Sequence, residues 1–327
     1  MAQRVLVTGG AGFIGSHVAD AFLAAGDVVT VLDNLSTGRR ENVPARATFA
    51  EMDVTTPAAT ALIHEGRFDV VAHLAAQIDV RRSVADPVFD AQTNVIGTVR
   101  VLEAVRTASM RSRVIFASTG GALYGDFAAP PHVETVAKNP ESPYGIAKLS
   151  AEYYLAFYAR IHGLETVALR FANVYGPRQD PHGEAGVVAI FCARILDDRP
   201  MTVFGDGRQT RDYVYVKDVA RANVAAARAT LPPAGRLDDR AFNIGTGIET
   251  SVKDLSTTLA TAARRPAATE LAPARPGEQM RSAVAIDKAA AGLSWRPQMS
   301  LGEGLGETYR WFAERHGEAA VAAGGRR

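Results

Sequence analysis

With 327 residues, 47% of them hydrophobic and 22% charged, the chain has the composition of a soluble globular protein long enough for one large domain or two smaller ones. Its 36 basic and 35 acidic residues interleave to a net charge of +1, which leaves no electrostatic footprint for nucleic acid or an anionic membrane and makes a small molecule the default partner. The single cysteine, Cys192 in the apolar stretch VVAIFCARIL, excludes an internal disulfide and a multi-cysteine metal site, and it reads as a small buried hydrophobe in a reducing cytoplasm rather than as a nucleophile.

The first half alternates short β-branched runs with longer amphipathic ones, the grammar of an α/β doubly wound parallel sheet flanked by helices. RVLVTG is the first strand; no basic leader with an apolar signal core precedes it, and no apolar run approaches membrane-spanning length. A cytoplasmic location is the expectation. In VLVTGGAGFIGSH, Gly9, Gly12 and Gly15 lie between that strand and an amphipathic helix, where backbone amides can approach a pyrophosphate. The same spacing occurs in ordinary tight turns, but the strand, the helix and a carboxylate downstream favour the nucleotide reading. That carboxylate, Asp33, closes the second strand, DVVTVLD. It can accept hydrogen bonds from adenosine ribose hydroxyls and would repel a ribose phosphate, so NAD is expected over NADP. Arg39 and Arg40, just downstream, could hold a phosphate, although charged loop residues are more often solvated, and NAD stays the favourite.

ATFAEMDV, FDVVAHLAA, RVIFAST and TVALRFANV continue the strands. Between the fourth and fifth, Asp86 and Pro87 begin a helix whose inward face carries Ala91, Val95, Thr98 and Leu102, with Asn94 among them. Thr119 ends the fifth strand, at the carboxyl edge where such sheets bind ligands. In SPYGIAKLSAEYY, Ser142 and Pro143 are N-cap and first residue, which puts Tyr144 and Lys148 one turn apart on one helix face. Such a pair is most often a half-buried aromatic beside a solvated charge; Thr119, with a hydroxyl for the same reacting oxygen, reverses that reading. A phenol with an ordinary pKa of about 10 is a poor base, and an ammonium together with a cationic nicotinamide would stabilise its phenolate.

After Gly176, loops rich in glycine, proline and charge separate shorter elements. The expected organisation is a Rossmann-like NAD-binding domain over residues 1–174 and a smaller α/β substrate-binding lobe over 175–327, with some segments returning to the first domain. EAAVAAGGRR, at the end, reads as a frayed tail.

The motifs TGGAGFIGSH, DNLSTG, HLAAQIDVRRSV, NVIGT, STGGALYG, PYGIAK, LRFANVYGPRQ, GDGRQTRDYVYVKDVA and RPGE span nearly the whole chain. As a set they resemble the extended short-chain dehydrogenase/reductase superfamily, in its nucleotide-sugar epimerase/dehydratase group. The resemblance implies that Gly9, Gly12, Phe13, Ile14 and Gly15 line the pyrophosphate of NAD, that Asp33, Asn34, Ser36 and Gly38 surround the adenosine ribose, and that Asp53 and Val54 meet the adenine. It implies that Leu74, Ala75 and Ala76 flank the cofactor, with Asn94 and Ser118 nearby and Lys148 on the nicotinamide ribose. Phe171 stands where some relatives carry tyrosine. Catalysis would fall to Tyr144, Lys148 and Thr119, with Asn173, Arg211 and Arg275 joining Thr119 and Tyr144 around a UDP-sugar. Relatives often form homodimers through two long helices, here the one with Asn94 and the one starting at Pro143.

The implied reaction is NAD-dependent 4-epimerisation of a UDP-hexose, begun by oxidation at the sugar's 4-position. Dehydratases of the superfamily carry an aspartate and a glutamate directly after the threonine, and Gly120 and Gly121 stand here instead. UDP-glucuronate 4-epimerisation is the runner-up, and an NAD-binding sensor or scaffold is the non-enzymatic alternative. Ser282, seven residues past the arginine of RPGE, occupies a position where small residues leave room for an N-acetyl group in the family resembled.

Overall fold

The computed structural model describes residues 2–108, 112–182, 186–275 and 279–324, the side chains of 318–324 excepted. The first part runs β1 (Arg4–Thr8), α1 (Phe13–Ala24), β2 (Val28–Asp33), β3 (Thr48–Glu51), α2 (Pro57–Glu65) and β4 (Val70–His73). Next come α3 (Val80–Ala85), α4 (Pro87–Ala91), a π-turn over Gln92–Ile96, α5 (Gly97–Thr107), β5 (Arg113–Thr119), α6 (Pro143–His162) and β6 (Glu165–Phe171). The remainder is β7 (Asn173–Tyr175), α7 (Val187–Leu196), β8 (Met201–Phe204), β9 (Thr210–Arg211), β10 (Tyr213–Tyr215), α8 (Val216–Arg228), β11 (Ala241–Ile244), β12 (Thr250–Ser251), α9 (Val252–Ala263), β13 (Thr269–Ala272), α10 (Asp287–Leu293) and α11 (Leu301–Gly324).

Among the described residues the main sheet has the order β11-β6-β5-β4-β1-β2-β3, and every pairing is parallel. Strand order reverses between β1 and β4, which opens a crevice at their carboxyl ends. Both faces are covered, so alternate residues of one strand enter different cores: Val5 and Val7 pack with Val18 and Phe22 of α1 and Val219 of α8, while Leu6 packs with Ile63 of α2, Leu102 of α5 and Leu155 of α6. Each such side chain contributes about 1.5–3 kcal/mol of burial. A third core joins α7, α9, α11 and β8 through Phe191, Leu255, Leu305 and Val203.

All six expected strands form. Three stop short of their apolar runs, because the residues after Glu51, His73 and Phe171 turn out of the sheet at its carboxyl edge. Ala241–Ile244 was not anticipated. This short run amid charged loops pairs with β6 and returns a late segment to the first sheet.

The helix expected after Pro87 is the clearest correction. Asp86 does cap it, accepting from Phe89 N at 3.0 Å. The π-turn then inserts extra residues per turn, so the inward position ahead of Asn94 is Asp90, while Ala91 is exposed. At the other end of the chain, α11 carries the helix on through residue 324, where fraying was expected. Gly325–Arg327 lie outside the described residues.

Candidate active site

The glycine turn is built by close approach. Gly9 has φ +70°, and a Cβ there would stand 2.7 Å from Ala75 N; a Cβ on Gly15 would stand 2.1 Å from Gly9 O. Gly12 differs, since its Cβ would meet only Gly9 O at 3.2 Å. It is the N-cap of α1 with no capping side chain, and the first turn, opening with Phe13 and Ile14, holds no acidic residue. The positive end of α1 is therefore free to face an anion such as a pyrophosphate.

Asp33 is buried at the end of β2, where Oδ2 accepts from Ala11 N at 3.0 Å and Oδ1 from Leu35 N at 2.8 Å. Each oxygen keeps a further lone pair for a ribose hydroxyl. A Cβ on Gly38 would stand 2.7 Å from Asp33 Oδ1, so glycine is needed for the loop to close on the carboxylate. Asn34 donates to Asp53 Oδ2 at 2.7 Å and accepts from Ser36 N at 3.0 Å. Burial works to raise the Asp53 carboxyl, but hydrogen bonds from Thr55 and Asn34 outweigh it and leave Asp53 below its ordinary value. Val54 is buried beside it. Both nearby cations are exposed: Arg39 lies 3.9 Å from Glu41, and Arg40 lies 4.5 Å from the Phe49 ring centroid. The remaining acceptor capacity of Asp33 suits hydroxyl donors and disfavours an anionic group.

Leu74, Ala75 and Ala76 follow β4 and are held by a buried frame that sequence reasoning missed apart from Asn94. Asn94 Nδ2 donates to Gln77 O at 2.9 Å and to Asp90 Oδ1 at 3.0 Å, while its Oδ1 accepts from Gln77 N at 2.9 Å. Asn94 thus acts through the loop, as a positioning residue. Behind it, Ala75 N donates to Thr8 Oγ1 (3.2 Å) and Thr8 meets His73 Nδ1 (2.8 Å). His73 Nε2 meets Thr98 Oγ1 (3.1 Å), whose own proton goes to Asn94 O (2.7 Å). That order of donors puts the His73 proton on Nε2, and burial, then the Lys148 charge, lower its pKa to about 3.

Ser142 accepts from Gly145 N at 3.2 Å, and Pro143 is the first residue of α6, as expected. The first turn is also tied to α3, because Tyr144 N donates to Ser83 Oγ at 3.2 Å. Lys148, 3% exposed, donates from Nζ to Ala117 O at 2.9 Å and sits 4.7 Å from the Phe116 ring centroid and 5.8 Å from that of Tyr144. Burial lowers its pKa to about 8, against the charges of Asp90 and Glu152. Burial and then Asp90 push the Tyr144 phenol up. Without a second positive charge the tyrosine stays protonated.

Ser118 donates to Glu152 Oε1 at 2.5 Å, and Glu152 accepts three hydrogen bonds from fully buried Arg170, so the hydroxyl serves to clamp α6 to β5. Thr119 Oγ1 accepts from Ala122 N at 3.2 Å and keeps its proton for another partner. A Cβ on Gly121 would stand 3.7 Å from Asn173 Oδ1 and 3.9 Å from Thr119 Oγ1, which places both polar groups around one opening. Phe171 lies opposite Thr119 in the β5–β6 register and is buried. Arg211 is half-buried on β9, with Nη1 donating to Thr210 O at 2.8 Å. Arg275 is exposed, its guanidinium 3.9 Å from the Phe204 ring centroid. The rest of its motif, Pro276–Glu278, lies outside the described residues. Ser282 is buried, and so is Cys192, whose thiol burial pushes up to about 12, far from a reactive thiolate.

A parallel sheet with its strand order reversed beside β1, and a glycine turn leading into an uncapped α1, are the marks of the Rossmann class of dinucleotide-dependent enzymes. The chain belongs to the NAD dependent epimerase/dehydratase family, whose model matches residues 5–245. It is 46% identical to the UDP-glucose 4-epimerase of Mycolicibacterium smegmatis over 318 residues, 96% of this chain and 99% of that one. The crystal structure of the Thermotoga maritima UDP-glucose 4-epimerase with UDP-glucose is 45% identical, with a TM-score of 0.90 over 95% of this chain and 99% of that one. That of the Thermus thermophilus UDP-glucose 4-epimerase in complex with NAD is 44% identical, with a TM-score of 0.85 over 94% and 98%.

Proposed function

We propose that this protein is an NAD-dependent 4-epimerase of UDP-hexoses, interconverting UDP-glucose and UDP-galactose and accepting the N-acetylated pair. The observation that supports it is the buried Lys148 5.8 Å from the Tyr144 ring centroid and bonded to Ala117 O on β5, the strand that ends at Thr119, followed by Gly120 and Gly121 where elimination would need acids. Residues 1–174 with the returning strand form the cofactor unit, and most of 175–327 forms the substrate lobe.

In this reading Gly9, Gly12, Phe13, Ile14 and Gly15 cradle the pyrophosphate, Asp33 holds the adenosine ribose, and Lys148 holds the nicotinamide ribose. NAD held there would supply the hydride acceptor for the oxidation and the hydride donor for the reduction. Tyr144 takes the proton of the 4-hydroxyl as the C4–H bond breaks, and Thr119 hydrogen-bonds the same oxygen. Arg211 and Arg275 grip the diphosphate with planar donors while the 4-keto sugar turns over beside Asn173. Tyr144 then returns its proton to the 4-oxygen as hydride arrives on the other face, so the protein ends as it began and nothing is consumed.

Purified protein mixed with UDP-galactose and no added cofactor should accumulate UDP-glucose, and UDP-GlcNAc should be turned over in the same assay. Product by NMR checks both. No conversion, even with NAD added, would sink the hexose reading in favour of a uronate.

The protein is read as a cytoplasmic homodimer. Among the described residues no helix is long and apolar enough to cross a membrane. Support for the dimer comes from α6, where Ile146, Tyr153, Phe157 and Ile161 are exposed at helical spacing, Ile161 to 63%, alongside Val88 and Ile96. Light scattering at twice the chain mass is the expected result.

A further inference from the structure

Asp212 is the single residue between β9 and β10, 1% exposed, and the reaction described above gives it no task. Its carboxylate meets four donors. Oδ1 accepts from Thr246 N at 2.8 Å and Thr246 Oγ1 at 2.6 Å, and Oδ2 accepts from Gly247 N at 3.0 Å and Val284 N at 3.4 Å. A carboxylate at this depth is costly unless its lone pairs are used, and these four hydrogen bonds use both oxygens.

The segments it joins come from different parts of the fold. Thr246 and Gly247 belong to the turn that leaves β11 at the carboxyl edge of the main sheet. Gly247 has φ +77°, and a Cβ on Gly245 would collide with Asp212 Oδ2 and stand 2.6 Å from Val284 Cγ2, so the turn is shaped to close on this carboxylate. Val284 in turn packs against Gly120, the residue after Thr119. Through its main chain, Asp212 O accepts from Asn173 N at 2.9 Å. On its other side stands Arg211, on β9, which pairs with β12 in the later part of the chain.

We propose that Asp212 is a positioning residue for the epimerisation: it joins the strand that carries Arg211 to the carboxyl edge of the main sheet, and so sets how far the diphosphate grip stands from Thr119 and Asn173. The inference rests on the reading of Arg211 as a diphosphate ligand. A sugar tethered by its diphosphate brings its 4-position to the reacting groups only if that separation is kept, and it must do so again after turning over. Loosening the joint leaves β9 paired with β12, so the grip itself persists while its register against Thr119 is lost. The chemical steps then suffer more than the binding of the nucleotide.

The alternative is that Asp212 only stabilises the fold. In Asp212→Asn one acceptor becomes a donor, so whichever way the amide lies at least one backbone N–H loses its partner. Thr246→Val is the milder variant, since it removes the 2.6 Å hydroxyl bond and leaves the carboxylate. Each holoenzyme is assayed for kcat with UDP-galactose, per folded molecule, and for affinity towards UDP by calorimetry. kcat should fall about tenfold or more in Asp212→Asn and about threefold in Thr246→Val, with UDP affinity within about twofold of the unaltered protein in both. A lowered melting temperature with kcat per folded molecule unchanged, equal losses in kcat and UDP affinity, or failure of both variants to fold would each overturn the proposal. Whether Arg211 grips the diphosphate at all is read separately, from UDP affinity in Arg211→Ala, and whether UDP-galactose is epimerised at all, from the unaltered protein.

Discussion

Gly120 lies so close to Val284 that a Cβ on it would stand 2.8 Å from Val284 Cγ1, with Arg170 O and Phe171 O at 3.3 and 3.4 Å on its other sides. Its neighbour Gly121 has only ordinary contacts, at 3.7 and 3.9 Å. The first position after the threonine is thus closed to any side chain, and the second is open. An acid for dehydration cannot enter at Gly120 unless the chain at Val284 moves.

Gly120→Ala should therefore lower stability by about 1–3 kcal/mol through overpacking, while Gly121→Ala should be close to neutral. Urea unfolding of the two variants checks this; equal effects would mean the Val284 contact is soft.

Tyr144→Phe should reduce kcat by about 10²- to 10⁴-fold, the usual worth of a positioned acid-base group. The hydroxyl has no hydrogen-bond partner among the described residues, so thermal stability and retained NAD should be nearly unchanged. Turnover near the wild-type rate would show that the base is another group.

His73 makes stability depend on pH. Unfolded, it binds a proton at its ordinary 6.5, whereas burial holds the native ring neutral down to about 3. The unfolded state binds more protons across that window, so stability is full above 6.5 and falls with acidification by up to about 1.4 kcal/mol per pH unit. His73→Gln should flatten the slope between pH 6.5 and 3. Denaturant unfolding at stepped pH tests it, and an unchanged slope would assign acid lability to other groups. His17, which burial lowers to about 4, contributes with the same sign.

Much of the site was legible because its parts are local. The glycine turn, Asp33 at a strand end, and Tyr144 and Lys148 behind a Ser-Pro cap each depend on residues a few positions apart, and backbone geometry converts that spacing directly into direction. The frame behind those residues was not legible. Gln77 reaches Asn94 across 17 positions, Thr8 reaches His73 across 65, and Glu152 ties Ser118 to Arg170 across 34 and 18. No periodicity marks such pairs.

The sequence by itself determined the alternation of strands and helices, the glycine turn between β1 and α1 and the capped start of α6 that carries Tyr144 and Lys148, since hydrophobic period, capping and turn chemistry act within a few residues. Tertiary structure alone decided that Ala241–Ile244 joins the first sheet, that Gly120 has no room for a side chain, and that a π-turn brings Asp90 rather than Ala91 inside. Those outcomes depend on which surfaces meet after the chain has packed. A helix widened by one turn, or a glycine pressed against a distant valine, leaves no trace in local pattern.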